Sequence, residues 1–205
     1  MPLTRIDRID SHTQLALWKM DEGEDQLLSR YPYMASPLAS IKSETRRRER
    51  LTVCALLEAL TGNGQPQIGH DESGKPAIDN GSISISHTRG YCALLYSPEA
   101  GRRLGIDIEW TSNRVERVTS YFMRDDEEAA SLADKLLNWS AKETCYKYFS
   151  EQDLKYFEMR VTRKDGHTLL VENLKAPAQL SVGFMMDDKF VLTWSRVCSF
   201  SKKIS

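Results

Sequence analysis

The sequence has no excess of basic residues. Its 205 residues include 28 lysines and arginines against 29 aspartates and glutamates, so the formal net charge at pH 7 is −1. A protein that binds duplex nucleic acid normally carries a basic surface, which displaces counterions from the phosphates. We therefore expect no nucleic-acid partner.

Long apolar runs are also missing. No stretch approaches the roughly 20 apolar residues that a membrane helix needs. Residues 4–10 alternate charged and apolar side chains, which does not fit the apolar segment of a signal peptide. Hydrophobic residues make up 40% of the chain, enough for the core of one domain or of two small fused domains. We expect no membrane partner and a cytoplasmic location.

Cysteines are few and unpaired in the sequence. Cys54, Cys92, Cys145 and Cys198 are widely separated and form no C-x-x-C motif. Each lies in a stretch that resembles regular structure rather than a loop. We interpret them as reduced thiols of a cytosolic protein.

The first half contains strand patterns around one predicted helix. Alternation predicts one or two strands in residues 3–19, and acidic residues with Pro32 and Pro37 predict turns over 21–37. Further strands are predicted at the following positions: 82–86, 91–96 and 104–108. The helix begins near Ser43, a good cap, and ends at Gly62. Its apolar residues recur at helical spacing at Val53, Leu56, Leu57 and Leu60.

The second half repeats this outline. A helix is predicted from about 132 to 149, and short strands follow near 157–162, 168–171, 180–185 and 190–195. We therefore predict an α+β fold of two similar modules, residues 1–104 and 105–205. Each would be a long helix packed on a small, mainly antiparallel sheet.

An acidic pair lies on a predicted strand. Asp107 and Glu109 are two residues apart, so both side chains project from the same side while Ile106 and Ile108 enter the core. Adjacent carboxylates repel each other unless a cation lies between them, and Mg²⁺ commonly takes one or two such ligands. The alternative is a strand end with two acids facing solvent.

The second predicted helix carries mixed chemistry along one face. Trp139, Glu143 and Lys147 are spaced four apart and share this face, with Lys142 to the side. The alternative is a surface helix, since Glu and Lys four residues apart form a common exposed pair.

A third group lies near a predicted strand end. Lys75 follows Gly74, and Ser86 and His87 close the alternating strand. A hydroxyl, an imidazole and an ammonium group can hold phosphates through charge-assisted hydrogen bonds. The alternative is a histidine with a purely structural role.

In their order and separation, these segments resemble the 4′-phosphopantetheinyl transferase superfamily, in its larger two-module form. The matching segments are Gly-Lys-Pro at 74–76, Ile-Ser-Ile-Ser-His at 83–87, Gly-Ile-Asp-Ile-Glu at 105–109, and Trp-Ser-Ala-Lys-Glu at 139–143 with Lys147. Together they span about a third of the chain.

The resemblance implies a cleft between the two modules as the active site. It implies that Mg²⁺ bound to the coenzyme A pyrophosphate is held by Asp107, Glu109 and Glu143, and that Lys147 contacts a phosphate. The catalytic residues would be Asp107, Glu143 and Lys147. Coenzyme A would be bound by Lys75, Ser86, His87 and Lys147, with His87 near the 3′-phosphate.

The implied activity is transfer of 4′-phosphopantetheine from coenzyme A to a serine of an apo acyl or peptidyl carrier protein. A doubled architecture would make a monomer the simplest state. Two alternatives stay open: a module that binds coenzyme A or a carrier protein without turnover, and a magnesium-dependent phosphohydrolase.

The sequence departs from the family pattern at Thr144, which stands where alanine is frequent. It departs again at Thr88 and Arg89, in place of a serine-glycine pair, and at Cys54, in place of arginine. The basic run from Arg46 to Arg50 cannot be matched residue by residue, and we interpret it as a solvated helix face.

Residues 114–124 form a candidate surface for the acidic helix of a carrier protein. The basic members are Arg114, Arg117 and Arg124, and apolar residues lie between them. An apolar centre with a basic rim fits such a partner. The alternative is that Val118 and Phe122 belong to the core of a short helix.

Overall fold

The strands form two antiparallel sheets and a short ribbon within residues 2–72 and 74–196, the part of the chain that the computed structural model describes. The strands are β1 (Leu3–Arg8), β2 (Gln14–Lys19), β3 (Gly69–His70), β4 (Pro76–Ala77), β5 (Ser82–Thr88), β6 (Tyr91–Ser97), β7 (Ile106–Trp110), β8 (Met159–Asp165), β9 (Thr168–Asn173), β10 (Ala178–Met186) and β11 (Phe190–Arg196). The four-stranded sheet has the order β1-β2-β6-β5, the five-stranded sheet β7-β11-β10-β9-β8, and β3 pairs with β4.

Two long helices accompany these sheets. The helices are α1 (Glu24–Arg30), α2 (Ala35–Leu38), α3 (Glu44–Thr61), α4 (Arg114–Phe122) and α5 (Leu132–Tyr148). The predicted limits of α3 are confirmed, because the Ser43 hydroxyl accepts a hydrogen bond from Arg46 N and Gly62 adopts the left-handed conformation, with φ 71°. Among the described residues, no helix is both long and apolar enough to cross a bilayer.

The prediction of turns over residues 21–37 was wrong, because this stretch contains α1, a 3₁₀ turn at Pro32–Met34 and most of α2. Helix α1 begins with Glu24 and Asp25, acids that suit the positive end of a helix, and Gln26 Oε1 accepts from Gly23 N. Leu27 is buried against α3 and its sheet. A single buried leucine gives too little periodicity to reveal so short a helix.

Three apolar clusters form the core. One joins α3 to the four-stranded sheet, and a second joins α5 to the five-stranded sheet. The third cluster draws on both sheets, with Leu15, Leu17 and Leu95 on one side and Ile106, Ile108, Phe190 and Leu192 on the other. Cys54, Cys92 and Cys145 are buried free thiols, while Cys198 lies outside the described residues.

A seam of hydroxyl groups connects β5 to β7. Alternate residues of β5 accept hydrogen bonds from alternate backbone N–H groups of β7, so side chains here take the place of a strand ladder. The bonds run from Ile106 N to Ser84 Oγ (3.1 Å), from Ile108 N to Ser86 Oγ (3.2 Å) and from Trp110 N to Thr88 Oγ1 (3.1 Å). Within the Ser-Ile-Ser-Ile-Ser alternation, Ile83 is buried and Ile85 half-buried, while Ser84 and Ser86 direct their hydroxyls to β7.

The α+β class and the antiparallel sheets are confirmed. The division into modules 1–104 and 105–205 stays a prediction. Residues 102–105, where that boundary falls, form no helix or strand.

Candidate functional site

The site forms where β7 passes close to α5. Gly105 permits this approach, since a Cβ at that position would lie 2.2 Å from the Thr144 carbonyl oxygen and 3.1 Å from Tyr148 N. The acidic side of β7 then faces one side of α5. The predicted common orientation of Asp107 and Glu109 is confirmed, because both carboxylates bond to side chains of that helix.

Asp107 is almost fully buried, with 4% of its surface exposed, and both carboxylate oxygens are bonded. Oδ1 accepts from Ser86 Oγ at 3.0 Å and from Lys147 Nζ at 2.9 Å, while Oδ2 accepts from Ser140 Oγ at 2.9 Å. Hydrogen bonds to an ionised group are stronger than neutral ones. These three donors, one from β5 and two from α5, fix the orientation of the carboxylate.

A chain of buried hydroxyls continues behind Asp107. Ser140 Oγ lies 3.0 Å from Thr193 Oγ1, which lies 2.6 Å from Thr144 Oγ1. All three residues have no exposed surface. If each hydroxyl donates to the next, the chain ends with Ser140 donating to Asp107. Thr144, where the family pattern has alanine, thus has a partner in Thr193.

Glu109 and Glu143 are each bonded to an aromatic side chain. Trp139 Nε1 donates to Glu109 Oε1 at 2.9 Å, and Tyr156 OH donates to Glu143 Oε1 at 2.6 Å. Burial and the charge of Asp107 raise the pKa of Glu109 to about 7, and burial likewise raises the pKa of Glu143. The structure therefore gathers the three predicted acids into one electrostatically coupled cluster.

The chemistry of this cluster fits a divalent cation. Three carboxylates offer hard oxygen ligands, and a cation would relieve the repulsion that raises the pKa of Glu109. In the part of the chain that is described, however, no group of three or more acidic, histidine or cysteine side chains is arranged to hold a metal ion. The three carboxylates are thus coupled electrostatically, but the described residues do not form a complete cation site by themselves.

Lys147 provides the positive charge next to this cluster. Its ammonium group donates to Ile106 O and to Asp107 Oδ1, both at 2.9 Å. An ammonium group has three N–H donors, so one is left for a ligand. About a quarter of the side chain is exposed, which keeps that donor accessible.

Lys142 lies on the other side of α5 and is completely buried. Its ammonium group donates to Glu127 Oε2 at 2.7 Å, Phe122 O at 2.6 Å and Tyr156 O at 3.3 Å. Burial lowers the pKa of Lys142. Lys142 therefore connects α5 to the end of α4 and to the Tyr156 turn, and it does not face the acidic cluster.

His87 lies away from the acids, at a separate cavity. Its Nδ1 lies 3.2 Å from Glu49 Oε1, and the cavity, of about 450 Å³, is also lined by Arg46, Arg50 and His70. The apolar part of the wall consists of Met34, Pro37, Val53, Ile68, Pro76 and Ile85. An apolar cavity with a cationic rim suits a flat ring that carries phosphate groups.

The basic run of α3 divides into two pairs. Arg47 bonds to Glu24 and to the Ile41 carbonyl, and Arg48 bonds to the Met20 carbonyl, so these two attach α3 to its neighbours. Arg46 and Arg50 are exposed at the cavity instead. The interpretation of the whole run as a solvated face is therefore too simple.

Two further predicted residues, Ser86 and Lys75, are not among the residues that line the His87 cavity. Ser86 is buried in the seam, where its hydroxyl accepts from Ile108 N and donates to Asp107. Lys75 is half-buried, and its pKa is lowered by burial despite the nearby charge of Glu151. The structure thus joins Ser86 to the acidic cluster, and it places Lys75 beside Glu151.

Both readings of residues 114–124 apply to different members of the segment. In α4, Val115 and Phe122 are buried, while Val118 is 37% and Tyr121 70% exposed. Arg124 bonds to Asp126 and to the Phe157 carbonyl. A cavity of about 600 Å³ contains Arg114 and Arg117 together with Arg89, Glu109 and Trp139.

Sequence reasoning missed Tyr156 and Thr193. The sequence does contain a signal for Thr193, since it is a polar residue within the apolar strand β11. Tyr156 lies in a short 3₁₀ turn, Tyr156–Glu158, after a loop, and no local pattern connects it to Glu143.

Comparison of the chain with known protein families gives a match that includes the acidic cluster. Residues 103–195 match the family model of the 4′-phosphopantetheinyl transferase superfamily, and no curated protein matches the chain. The matched segment is somewhat less than half of the chain. It contains Asp107, Glu109, Glu143 and Lys147, whereas Lys75, Ser86 and His87 precede it. The chain therefore carries a 4′-phosphopantetheinyl transferase superfamily domain at residues 103–195.

Proposed function

We propose that the protein transfers 4′-phosphopantetheine from coenzyme A to a serine of an apo acyl or peptidyl carrier protein, in a Mg²⁺-dependent reaction. The serine oxygen forms a bond to the phosphorus on the pantetheine side of the pyrophosphate. The bond from that phosphorus to the bridging oxygen breaks, and adenosine 3′,5′-bisphosphate leaves.

The observation that supports this proposal is the acidic cluster of β7 and α5. Asp107, Glu109 and Glu143 lie in one coupled group with Lys147, and the superfamily match covers all four. Phosphoryl transfer depends mainly on positioning and on neutralising charge, and carboxylates with a bound cation and a lysine supply both.

Asp107, Glu109 and Glu143 would hold Mg²⁺, which when bound neutralises charge on the pyrophosphate. Lys147 would donate its remaining N–H to a phosphate oxygen while it keeps Asp107 in place. Glu143 is the proposed base for the serine proton, because it projects from α5 beside the proposed cation site, and burial raises its pKa.

The nucleotide of coenzyme A would occupy the cavity beside His87. His87 would contact the 3′-phosphate, and Arg46 and Arg50 line the same cavity. Arg47 and Arg48 hold α3 in place, so they are not proposed as ligands. Lys75 is kept as a phosphate contact, and Ser86 would act through Asp107, to which it donates.

The carrier protein would dock on α4. Val118 and Tyr121 form an exposed apolar centre, and Arg114 and Arg117 lie beside the acidic cluster. Arg124 is engaged by Asp126 and does not enter this surface. We also keep the two-module type, a monomeric state and a cytoplasmic location as proposals.

The decisive experiment incubates the protein with coenzyme A, Mg²⁺ and several unrelated apo carrier proteins, followed by intact-mass spectrometry of each carrier. The transferase proposal requires a phosphopantetheine adduct on a carrier serine. Cleavage of coenzyme A without a carrier would favour the phosphohydrolase. Binding without either product would favour a non-catalytic module.

Two substitutions test the acidic cluster directly. Asp107→Ala and Glu143→Gln are each expected to abolish transfer while the protein stays folded, since both remove a proposed cation ligand. Glu58→Gln, on α3 and bonded to Tyr31, is the control and should transfer normally. Near wild-type rates in either test variant would remove that residue from the site.

A further inference from the structure

Two aromatic rings in tilted contact connect the two glutamates of the cluster. The ring centroids of Trp139 and Tyr156 are 5.0 Å apart, and each ring donates one hydrogen bond to a carboxylate. Trp139 donates to Glu109 and Tyr156 donates to Glu143, so the pair of rings spans the two glutamates. Phe122 packs edge-on against Trp139.

Hydrogen bonds fix the backbone of the turn that contains Tyr156. Its 3₁₀ turn is capped by Glu158, whose carboxylate accepts from Lys155 N at 2.8 Å, and Leu174 N donates to the Glu158 carbonyl. The Tyr156 carbonyl also accepts from the buried Lys142 ammonium group. The hydroxyl therefore has a fixed position, as a positioning group requires.

One oxygen of each glutamate is left for a ligand. The aromatic donors use Oε1 of Glu109 and Oε1 of Glu143. Among the residues that the structure describes, no hydrogen bond reaches either Oε2. Each carboxylate is thus anchored at one oxygen and available at the other.

We propose that Tyr156 is a positioning residue of this site, which holds the Glu143 carboxylate by Oε1 while the adjacent Trp139 holds Glu109. The proposal rests on the proposed transferase function, because it gives Glu143 a role in that reaction. In this proposal Lys142 contributes indirectly, because its ammonium group donates to the Tyr156 carbonyl and so helps to hold the turn in place.

Tyr156→Phe tests this proposal by removing one oxygen atom and keeping the ring that contacts Trp139. We expect kcat to fall about tenfold or more, the size expected when a hydrogen bond to a charged group is lost. KM for coenzyme A should stay within about twofold, since the nucleotide cavity is untouched. The matched control is Tyr31→Phe, which removes the same atom from a tyrosine–glutamate bond between α1 and α3.

A titration with Mn²⁺ in the presence of coenzyme A, followed by calorimetry, gives a readout that does not depend on turnover. Tyr156→Phe should weaken cation binding severalfold, Tyr31→Phe should not, and the effect of Tyr156→Phe should vanish in a Glu143→Gln background. A purely structural role would instead lower the melting temperature of both tyrosine variants alike and leave these measurements unchanged.

Wild-type kcat in Tyr156→Phe would overturn the proposal, as would a rise of KM for the carrier alone, which would mark Tyr156 as a docking contact. If the wild-type protein transfers nothing to any carrier, the proposed function fails, and the cation titration then decides on Tyr156 by itself. Unchanged cation affinity in Tyr156→Phe would in that case overturn the proposal.

Discussion

Asp107 depends on hydroxyl groups that are far away in sequence. Ser86 comes from β5, Ser140 from α5, and Ser140 is in turn bonded to Thr193 of β11. A buried carboxylate without such donors is costly, so its orientation and its partners are tied together. The orientation of Asp107 is therefore a property of several elements.

Thr193→Val removes the middle hydroxyl of the chain and keeps the side-chain volume. We expect a loss of about 1 to 2 kcal/mol in the free energy of unfolding, because Thr144 and Ser140 lose a buried partner. Transfer should slow but persist, since Ser140 still reaches Asp107. Urea unfolding and a transfer assay measure both effects.

Thr52→Val is the control for this change, because Thr52 is also fully buried and donates to a helix carbonyl, that of Arg48. It should lose comparable stability without slowing transfer. Equal transfer rates in the two valine variants would show that the hydroxyl chain does not support Asp107.

Glu109 should give the protein a pH-dependent stability. Its pKa is raised to about 7 by burial and by Asp107, from 4.5 for a free side chain. Stability linked to such a group is fully present below about 4.5 and is lost as the pH rises through 7. Glu109→Gln should therefore be more stable than wild type above pH 7, by up to about 3 kcal/mol, with a gain that shrinks towards pH 4.5.

Thermal unfolding at pH 5 and pH 8 without divalent cations checks this expectation. Glu22→Gln is the control, because Glu22 also accepts an indole N–H, that of Trp18, outside the acidic cluster. A Glu109→Gln variant no more stable than wild type at pH 8 would mean that Glu109 is not destabilised by its neighbours.

At the scale of elements, the contact of β7 with α5 decides the geometry of the site. The two elements approach so closely at Gly105 that backbone meets backbone, and the acids of β7 then reach side chains of α5. The seam to β5 holds one edge of β7, and β11 pairs with the other edge. Strand β7 is thus held on both sides.

Gly105→Ala should push α5 away from β7. The new Cβ would meet the Thr144 carbonyl oxygen at 2.2 Å, and a backbone atom of a helix cannot yield locally. We expect a loss of about 1 to 3 kcal/mol in the free energy of unfolding, together with a strong loss of transfer. Gly64→Ala, where no atom lies within 4 Å of the new Cβ, is the control.

Denaturant unfolding and the transfer assay on both alanine variants provide the measurement. A Gly105→Ala variant that is as stable and as active as Gly64→Ala would show that α5 and β7 tolerate a wider separation, and that their close contact does not set the site.

Elements with local signals were predictable from the sequence, and those that depend on distant contacts were not. Helix α3 has a serine cap and a terminal glycine, and β5 alternates strictly, so both were predicted correctly. Helix α1 has one buried leucine and was missed. In the site, spacing predicted the shared side of Asp107 and Glu109, whereas the Tyr156 bond to Glu143 depends on how a loop folds back.

The burial of a charged side chain is likewise hard to predict from local sequence. Lys142 lies within a motif that sequence alone places on a helix, yet nothing local shows that it is buried against Glu127 and the Tyr156 carbonyl. A lysine is rarely buried unless it is paired, and its partner is supplied by the tertiary fold. Spacing placed Lys147 on the face of Glu143 and Lys142 to its side, but only the tertiary fold shows which partners bury Lys142.

At the scale of the whole molecule, the two sheets share an apolar cluster. Leu15, Leu17 and Leu95 of the four-stranded sheet pack with Ile108 and Leu192 of the five-stranded sheet, and all five are buried. The hydroxyl seam lies beside this cluster and adds polar contacts between β5 and β7. Each predicted module therefore lacks part of its core when it is alone.

We accordingly expect residues 1–104 and 105–205, produced as separate chains, to unfold without a cooperative transition. Each fragment would expose its residues of the third apolar cluster, together with the edge of β5 or β7 that is bonded in the full chain. Small domains are only marginally stable, so this loss should be enough to unfold them. Circular dichroism melts of each fragment, of their mixture and of the full chain measure this. The full chain should show one transition, and mixing should restore part of it. A fragment 105–205 that melts cooperatively by itself would instead make the predicted boundary that of an independent domain.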